Sequence, residues 1–314
     1  MNVNSKRLHI LTFFLLSWLE AMAQYDAHFN HYWALEPLFN PATVGKNDKV
    51  NVVAAYSMSL TGFENNPKTM YAGGDLPLRM ASSVHGLGVM MMNDDVGLFV
   101  HKNLAVQYSF STKLFGGTLS IGAKLGMLSE GFEGSNVDME TPDDPAFPST
   151  DVTGSSLDVG LGAYYRYGKW YLGLSGQHLN SPKVEIGEKQ EIDVSCIYYF
   201  TSGYNIQLRN PFLSIQPTVL CSTDGVAWRA DISGRMTYTN DNKLMYAGLS
   251  YSPTNSITFM VGGVFHGVCI GYSYEAYTTD VSLGNGGHEL FVGYQTKINL
   301  GKKGKNLHKS VRLL

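Results

Sequence analysis

The sequence predicts an all-β protein, a transmembrane antiparallel β-barrel of about fourteen strands. Three observations carry this prediction: apolar and polar residues alternate in many segments, these segments are about ten residues long, and their connections alternate between short and long. The composition agrees, because 34 Gly, 19 Tyr and 15 Phe with only 16% charged residues suit strands, tight turns and aromatic girdles. The mean hydropathy of -0.08 is compatible with a barrel. Each barrel strand turns an apolar face outward to lipid and a polar face inward to the lumen, so its average hydropathy is unremarkable.

Residues 1–23 predict a signal peptide. The positive pair Lys6 and Arg7 precedes the apolar run 8–19, and Ala-Met-Ala then supplies the small-x-small pattern of a cleavage site. The mature chain is therefore expected to begin at Gln24. The alternative is an N-terminal membrane anchor, for which this apolar run is short.

Residues 24–47 predict a periplasmic or plug segment. The stretch "QYDAHFNHYWALEPLFNPATVGK" is dense in aromatics, contains two prolines and has neither helical nor strand periodicity. We expect it to be ordered and partly buried by the barrel, at the periplasmic mouth or inside the lumen, with Asn40-Pro41 as the bend toward the first strand. The side chains expected to pack are Phe29, Tyr32, Trp33, Leu38 and Phe39.

Residues 48–299 predict the outer-membrane barrel itself. In 118–129 one face carries apolar residues and the other Ser, Gly or Lys, and 157–166 and 289–298 repeat this pattern. In an outer-membrane barrel the apolar face meets lipid, and in a soluble sandwich it would meet a second sheet. The predicted strands are 49–60, 68–78, 84–93, 99–112, 118–129, 155–166, 170–178, 190–200, 212–221, 226–238, 243–251, 257–264, 268–275 and 288–299.

The connections between these strands predict the orientation. If the first strand runs outward, the short connections 113–117, 167–169 and 266–267 all fall on the periplasmic side, and the long connections 130–154 and 276–287 fall outside. An even number of strands then places both termini in the periplasm. The tail, 300–314, is basic and is either a solvated terminus or an electrostatic handle for a partner or for anionic headgroups. Its charged residues, the possible partner contacts, are Lys302, Lys303, Lys305, Lys309 and Arg312.

The residues nominate no enzyme chemistry and no cofactor. There is no zinc-protease H-E-x-x-H, no G-x-S-x-G nucleophile elbow and no phosphate-binding glycine loop. Three widely spaced cysteines without a C-x-x-C are expected to be packing residues. The acidic cluster in 138–151 lacks the spacing of a calcium loop and predicts a solvated external loop. The net charge of -3 implies no nucleic-acid partner.

The order of several short motifs resembles the PorP/SprF family of outer-membrane proteins of the Bacteroidetes, which is associated with type IX secretion and gliding. The mature start resembles the family's D-P-x-F-x-Q-Y and N-P-A-x-x-G patterns, and later blocks resemble its P-K-T and N-D-x-x-G runs. Residues 158–179 resemble its D-x-G-x-G-x-Y-Y block, which ends in H-L, and residues 286–294 resemble its closing strand. Ala27 and His31 depart from it, since the family usually has Pro and Gln there. The matching residues are Asp26, Phe29, Tyr32, Asn40, Pro41, Ala42, Gly45, Pro67, Thr69, Asp94, Gly97 and His178.

This resemblance implies a non-enzymatic barrel in the outer membrane, in contact with its lipid. It also implies partners: periplasmic or outer-membrane components of the type IX machinery, and a cognate secreted surface protein whose secretion or anchoring the barrel supports. Two rival classes stay open at this point. One is a passive channel or porin, and the other is a soluble β-sandwich adhesin.

Overall fold

The computed structural model describes residues 26–47, 49–80, 83–136, 150–187, 190–241, 243–278 and 285–297. Within them the chain forms seventeen strands, and fourteen of these make a closed antiparallel barrel, which confirms the predicted fold class and strand count. The strands are β1 (Lys49–Met58), β2 (Lys68–Met80), β3 (Ser83–Val96), β4 (Phe99–Leu114), β5 (Gly117–Phe132), β6 (Val152–Tyr167), β7 (Trp170–Gln177), β8 (Lys183–Ile186), β9 (Gln190–Asp193), β10 (Ile197–Tyr204), β11 (Ile206–Gln207), β12 (Leu213–Thr223), β13 (Trp228–Asn240), β14 (Lys243–Ser252), β15 (Ser256–Phe265), β16 (Val268–Tyr277) and β17 (Gly287–Lys297).

Sequence neighbours pair all round the barrel, and the first and last strands close it. β1 pairs with β17 along its whole length, from Lys49 opposite Lys297 to Met58 opposite His288. β11 adds a two-residue ladder beside β12, and β8 and β9 form a separate hairpin outside the barrel sheet. Closure removes the sheet edges, which is a condition for a β-structure in a bilayer. None of the helices in the described residues is long and apolar enough to cross a membrane.

One predicted strand was displaced along the chain. The sequence predicted a strand over 190–200, whereas residues 190–193 pair with 183–186 in the hairpin and the barrel strand is Ile197–Tyr204. The alternating pattern of 190–194 is that of a strand but does not say which sheet the strand joins. Its partner was set by the tertiary structure.

The two faces of the barrel are inverted relative to a soluble protein. On β4, Leu104 and Val106 point outward and are 62% and 58% exposed, while Gln107 and Ser109 point inward and are 4% and 0% exposed. The same order holds on the other long strands, where exposed residues are mainly aliphatic or aromatic and buried ones include many Ser, Thr, Asp and Glu. An apolar exterior with a polar lumen is the arrangement of a transmembrane barrel.

The two ends of the barrel differ in their connections. At one end, here called the short-turn end, the hairpins joining β4 to β5, β6 to β7 and β15 to β16 have only the two connecting residues 115–116, 168–169 and 266–267. At the other, the long-loop end, β5 connects to β6 through 133–151 and β7 to β10 through 178–196. The lumen between these two ends is not empty.

Candidate functional site

Residues 26–47 run inside the barrel and are here called the lumenal segment. Phe29 and Leu35 are fully buried, and Tyr32, Phe39 and Ala42 are at most 4% exposed. The aromatic-rich sequence thus finds its burial against inward side chains of the wall: Phe29 packs edge-on against Tyr71, and Phe39 against Tyr199. Burying one such aromatic ring is worth about 1.5–3 kcal/mol.

The segment folds as two short helical turns separated by Asn40. Helix α1 (Glu36–Phe39) has Pro37 in its first turn, where a missing N–H costs nothing. Asn40 then adopts extended backbone, and its side-chain oxygen accepts a hydrogen bond of 2.9 Å from the Ala42 N–H at the start of a 3-10 helix (Pro41–Thr43). The Asn40 amide also donates to the carbonyls of Ala163 and Leu174, so the cap is tied to two neighbouring strands.

A row of small residues forms a cradle for residues 40–45. Gly86, Ser109, Gly122, Gly162 and Ser175 are successive ladder partners across β3, β4, β5, β6 and β7. Their small side chains leave room for the backbone of the lumenal segment. A Cβ built on any of the three glycines would come closer than 3.0 Å to this segment, meeting the Val44 carbonyl, the 41–42 peptide or the Asn40 side chain.

Gly45 ends the cradled stretch and needs to be glycine for two reasons. Its φ of +65° is in the left-handed region, and a Cβ there would lie 2.6 Å from the Gly86 Cα. Its N–H donates a 2.8 Å hydrogen bond to Asp75, and the Ser109 hydroxyl donates a 2.6 Å bond to the preceding Val44 carbonyl. The wall therefore holds this backbone through direct hydrogen bonds.

Buried charges attach the beginning of the segment near the long-loop end. His178 lies between two carboxylates, with Nδ1 2.9 Å from Asp158 and Nε2 3.0 Å from Asp26. Lys124 lies 2.9 Å from the second oxygen of Asp158, and the Tyr199 hydroxyl donates a 2.6 Å bond to Asp26. Two carboxylates thus face one lysine and one histidine, an arrangement that is neutral when the histidine is protonated.

The electrostatics favour that charge state. Burial by itself disfavours the imidazolium, but the negative charges and hydrogen bonds of Asp26 and Asp158 outweigh it and raise the pKa of His178, which follows the end of β7, to about 9. For Asp26, burial raises the pKa, and the nearby His178 charge with hydrogen bonds from His178 and Tyr199 lowers it below its ordinary value. The segment is held here by an ion pair at neutral pH.

A second attachment joins the segment to β17. Glu289 is 1% exposed and accepts hydrogen bonds from the N–H groups of Asn30, at 2.6 Å, and His31, at 3.0 Å. The His31 Nδ1 lies 2.6 Å from the same carboxylate. Across the lumen, the Tyr32 hydroxyl lies 2.9 Å from the Thr218 hydroxyl on β12. His31, which departs from the family pattern, is therefore part of the attachment.

Removing the Glu289 charge should loosen this attachment. Hydrogen bonds to a charged group are worth about 1.5–3 kcal/mol, so Glu289→Gln is expected to lower the free energy of unfolding by an amount in that range. The measurement is urea unfolding of the detergent-solubilised protein followed by tryptophan fluorescence. Glu64→Gln, a change of the same type at an exposed position of the loop after β1, is the control. Equal urea midpoints for E289Q and E64Q would contradict the assigned role.

The structure brings together most of the residues that the sequence singled out. Asp26 and His178 form one contact, and Thr69 donates a 2.6 Å hydrogen bond to Asp94 on the neighbouring strand. Pro67 and Gly97 lie in connections at the long-loop end and touch none of these residues in any described contact. The residues that line the lumenal segment or belong to it are Asp26, Phe29, Tyr32, Asn40, Pro41, Ala42, Gly45 and His178. The tail residues Lys302 to Arg312 lie outside the described residues.

Sequence reasoning missed the wall partners of the segment. The alternation places Lys124, Asp158 and Glu289 on the polar faces of their strands, and Gly122 and Gly162 likewise, but names no partner for them. The available signal was a charged residue in mid-strand on the lumen-facing side, where a charge needs a partner. Among the described residues, no group of three or more His, Cys, Asp or Glu side chains is placed to hold a metal ion.

A closed barrel with an apolar exterior and a polar, occupied lumen defines the class: an outer-membrane barrel protein. The chain belongs to the family described as type IX secretion system membrane protein PorP/SprF, whose model matches residues 21–294. This confirms the resemblance stated from the sequence. No curated protein sequence matches the chain.

Solved structures with a similar fold are also outer-membrane barrels. The Ralstonia pickettii toluene transporter TbuX has a TM-score of 0.51 at 12% identity, over 83% of this chain and 92% of that one. A Pseudomonas aeruginosa FadL homologue has a TM-score of 0.51 at 11% identity, over 89% and 97%. The Pseudomonas putida toluene transporter TodX has a TM-score of 0.50 at 10% identity, over 87% and 95%. These likenesses show the fold alone.

Proposed function

We propose that this protein is a non-enzymatic barrel of the type IX secretion or gliding system that stays closed and serves as an attachment point in the outer membrane. In this role it links the machinery to the envelope, or supports the secretion and surface anchoring of a cognate cell-surface protein. The observation that carries the proposal is the occupied lumen: most of the lumenal segment is buried or partly buried, and it is tied to the wall at several points. A lumen filled by its own chain suits a scaffold better than a pore.

The proposed orientation places the short-turn end in the periplasm. Short periplasmic turns and longer external loops are the usual asymmetry of outer-membrane barrels. Residues 1–23 are then a cleaved signal peptide and 24–47 a plug, whose Gly45–Asn47 end lies at the proposed periplasmic mouth; the basic tail is proposed to extend from the same side. The periplasmic mouth would contact the secretion machinery, and the long loops would contact the cargo protein.

The test is a gene deletion with complementation. Without this protein, a type IX cargo protein should be lost from the cell surface, because its attachment point is missing, while other outer-membrane barrels stay at their normal level. The measurement is quantitative mass spectrometry of surface-shaved cells and of the culture medium, with the wild-type gene restored as control. A surface proteome identical in the deletion and complemented strains would refute this role.

A passive channel is the second candidate. The observation in its favour is the fold likeness to TbuX and TodX, both described as toluene transporters. Single-channel recording of the purified protein in planar bilayers separates the two: a closed scaffold should give no conductance, whereas an ungated channel should conduct on insertion.

A further inference from the structure

A pocket of about 380 Å³ lies inside the short-turn end of the lumen, beyond the cradle. The end of the lumenal segment, Gly45 to Asn47, forms part of its lining, and the rest comes from β3, β4, β5 and β6. The volume is within the range of ligand pockets, about 300–1,000 Å³. Apart from Val84, the strand residues on its wall carry either a cation or a hydroxyl group.

The strand register places these residues in two adjacent rows. Lys113, Thr118 and Arg166 are ladder partners across β4, β5 and β6. The next row inward contains Ser111, Ser120 and Tyr164, of which the two serine hydroxyls are 2.7 Å apart. Because alternate residues of a strand share a face, both rows point into the lumen with the buried Ser109 row. They line the mouth and not the lipid-facing surface.

Positive charge in this pocket is only partly balanced by the protein: Glu36 pairs with Lys46, and Asp75 accepts a hydrogen bond from the N–H of Gly45 in the lining. Among the residues that the structure describes, Lys113 and Arg166 form no ion pair, and Lys46 pairs with Glu36 of the lumenal segment. The other buried carboxylates of the wall lie toward the long-loop end. These carboxylates are Asp94, Glu130, Asp158, Asp231, Glu275 and Glu289.

We propose that this pocket binds an acidic peptide segment presented at the short-turn end, with two of its carboxylates on Lys113 and Arg166. Lys113 is on β4 and Arg166 is on β6, with β5 between them. Because adjacent strands are about 4.8 Å apart, the backbones of these two residues are roughly 10 Å apart. That spacing suits two carboxylates along a peptide better than one small anion. Lipid headgroups lie outside the barrel wall and do not face this surface. The inference rests on the proposed function for its periplasmic location.

The experiment uses the full-length protein in detergent and fluorescein-labelled hexaglutamate as the probe. Fluorescence polarisation measures the Kd for wild type and for the double variant Lys113→Gln/Arg166→Gln. Both side chains are exposed in the mouth, so the variant is expected to fold normally. Binding should weaken by about tenfold or more, equivalent to about 1.4 kcal/mol. The matched control, Lys169→Gln/Lys243→Gln, removes two exposed charges at the same end but outside the pocket, and should change Kd by less than about twofold.

Three results would overturn the proposal. The first is equal weakening in the two double variants, which indicates general attraction to a basic surface. The second is inorganic phosphate competing at the same concentration as hexaglutamate, which indicates a small-anion site. The third is no binding by wild type at low salt. The binding measurement uses purified protein, so its result does not depend on the surface-proteome test. The peptide-binding proposal and the proposed role in secretion or anchoring can therefore fail separately.

Discussion

Replacing Gly122 with valine is expected to drive residues 40–45 from the cradle and to open a conducting path in a barrel that is expected to be silent as the wild type. The new Cβ would lie 2.4 Å from the Pro41 carbonyl carbon and the Ala42 nitrogen, so this backbone would have to shift. Overpacking typically costs about 1–3 kcal/mol, which shifts a closed–open equilibrium by roughly 5- to 150-fold. The wall itself should tolerate the change, since valine is a good strand residue.

The measurement combines planar-bilayer recording with limited proteolysis of the N-terminal region. Gly122→Val should show open-channel events and faster cleavage within the displaced segment than wild type. Gly234→Val is the control, because a Cβ at Gly234 meets no atom within 4 Å and this residue is on the lipid-facing side of β13. A silent, protease-resistant Gly122→Val protein would show that the cradle does not hold the segment.

Replacing Asp158 with asparagine should produce the largest loss of stability. Asp158 is fully buried and holds both Lys124 and His178, so its loss leaves Lys124 without its direct ion-pair partner. Breaking a buried ion pair costs about 3–5 kcal/mol. The expected result is a fall in the temperature at which the heat-modifiable folded band disappears on a gel, with a parallel fall in the urea midpoint.

Two comparisons make this result specific. Asp241→Asn is the same substitution at an exposed turn position with a positive φ of 52°, which asparagine readily adopts, and it should leave the melting temperature unchanged. Lys124→Met combined with Asp158→Asn should recover part of the stability, since no buried charge is then left unpaired. If the double variant is less stable than Asp158→Asn alone, the ion pair is not the cause.

The barrel was predictable because its signal is local. Alternation along one strand, as in 118–129, reports its lipid-facing and lumen-facing sides without knowledge of any other strand. The displaced strand at 190–200 marks the limit of this signal. Its first residues alternate as well as a barrel strand does, yet they pair in the separate hairpin β8–β9.

The candidate site was only half predictable. The aromatic residues of 24–47 and the Asn40-Pro41 bend indicated a segment that needs burial, but nothing in the stretch named its partners. His178 and Asp26 are 152 residues apart in the chain, and Asn30 and Glu289 are 259 apart. Such pairs depend on the register of every strand between them.

The sequence by itself determined a β-barrel with an apolar outside, a polar lumen and an aromatic N-terminal stretch, because these follow from short-range periodicity and composition. The tertiary structure alone decided that Gly86, Gly122 and Gly162 fall in one row and that Asp158 faces both Lys124 and His178. It also decided that Lys113 and Arg166 line the same pocket at the short-turn end. The physical reason is that hydrogen-bond register joins residues from different strands at the same height, and a one-residue slip would turn each of them to the opposite face.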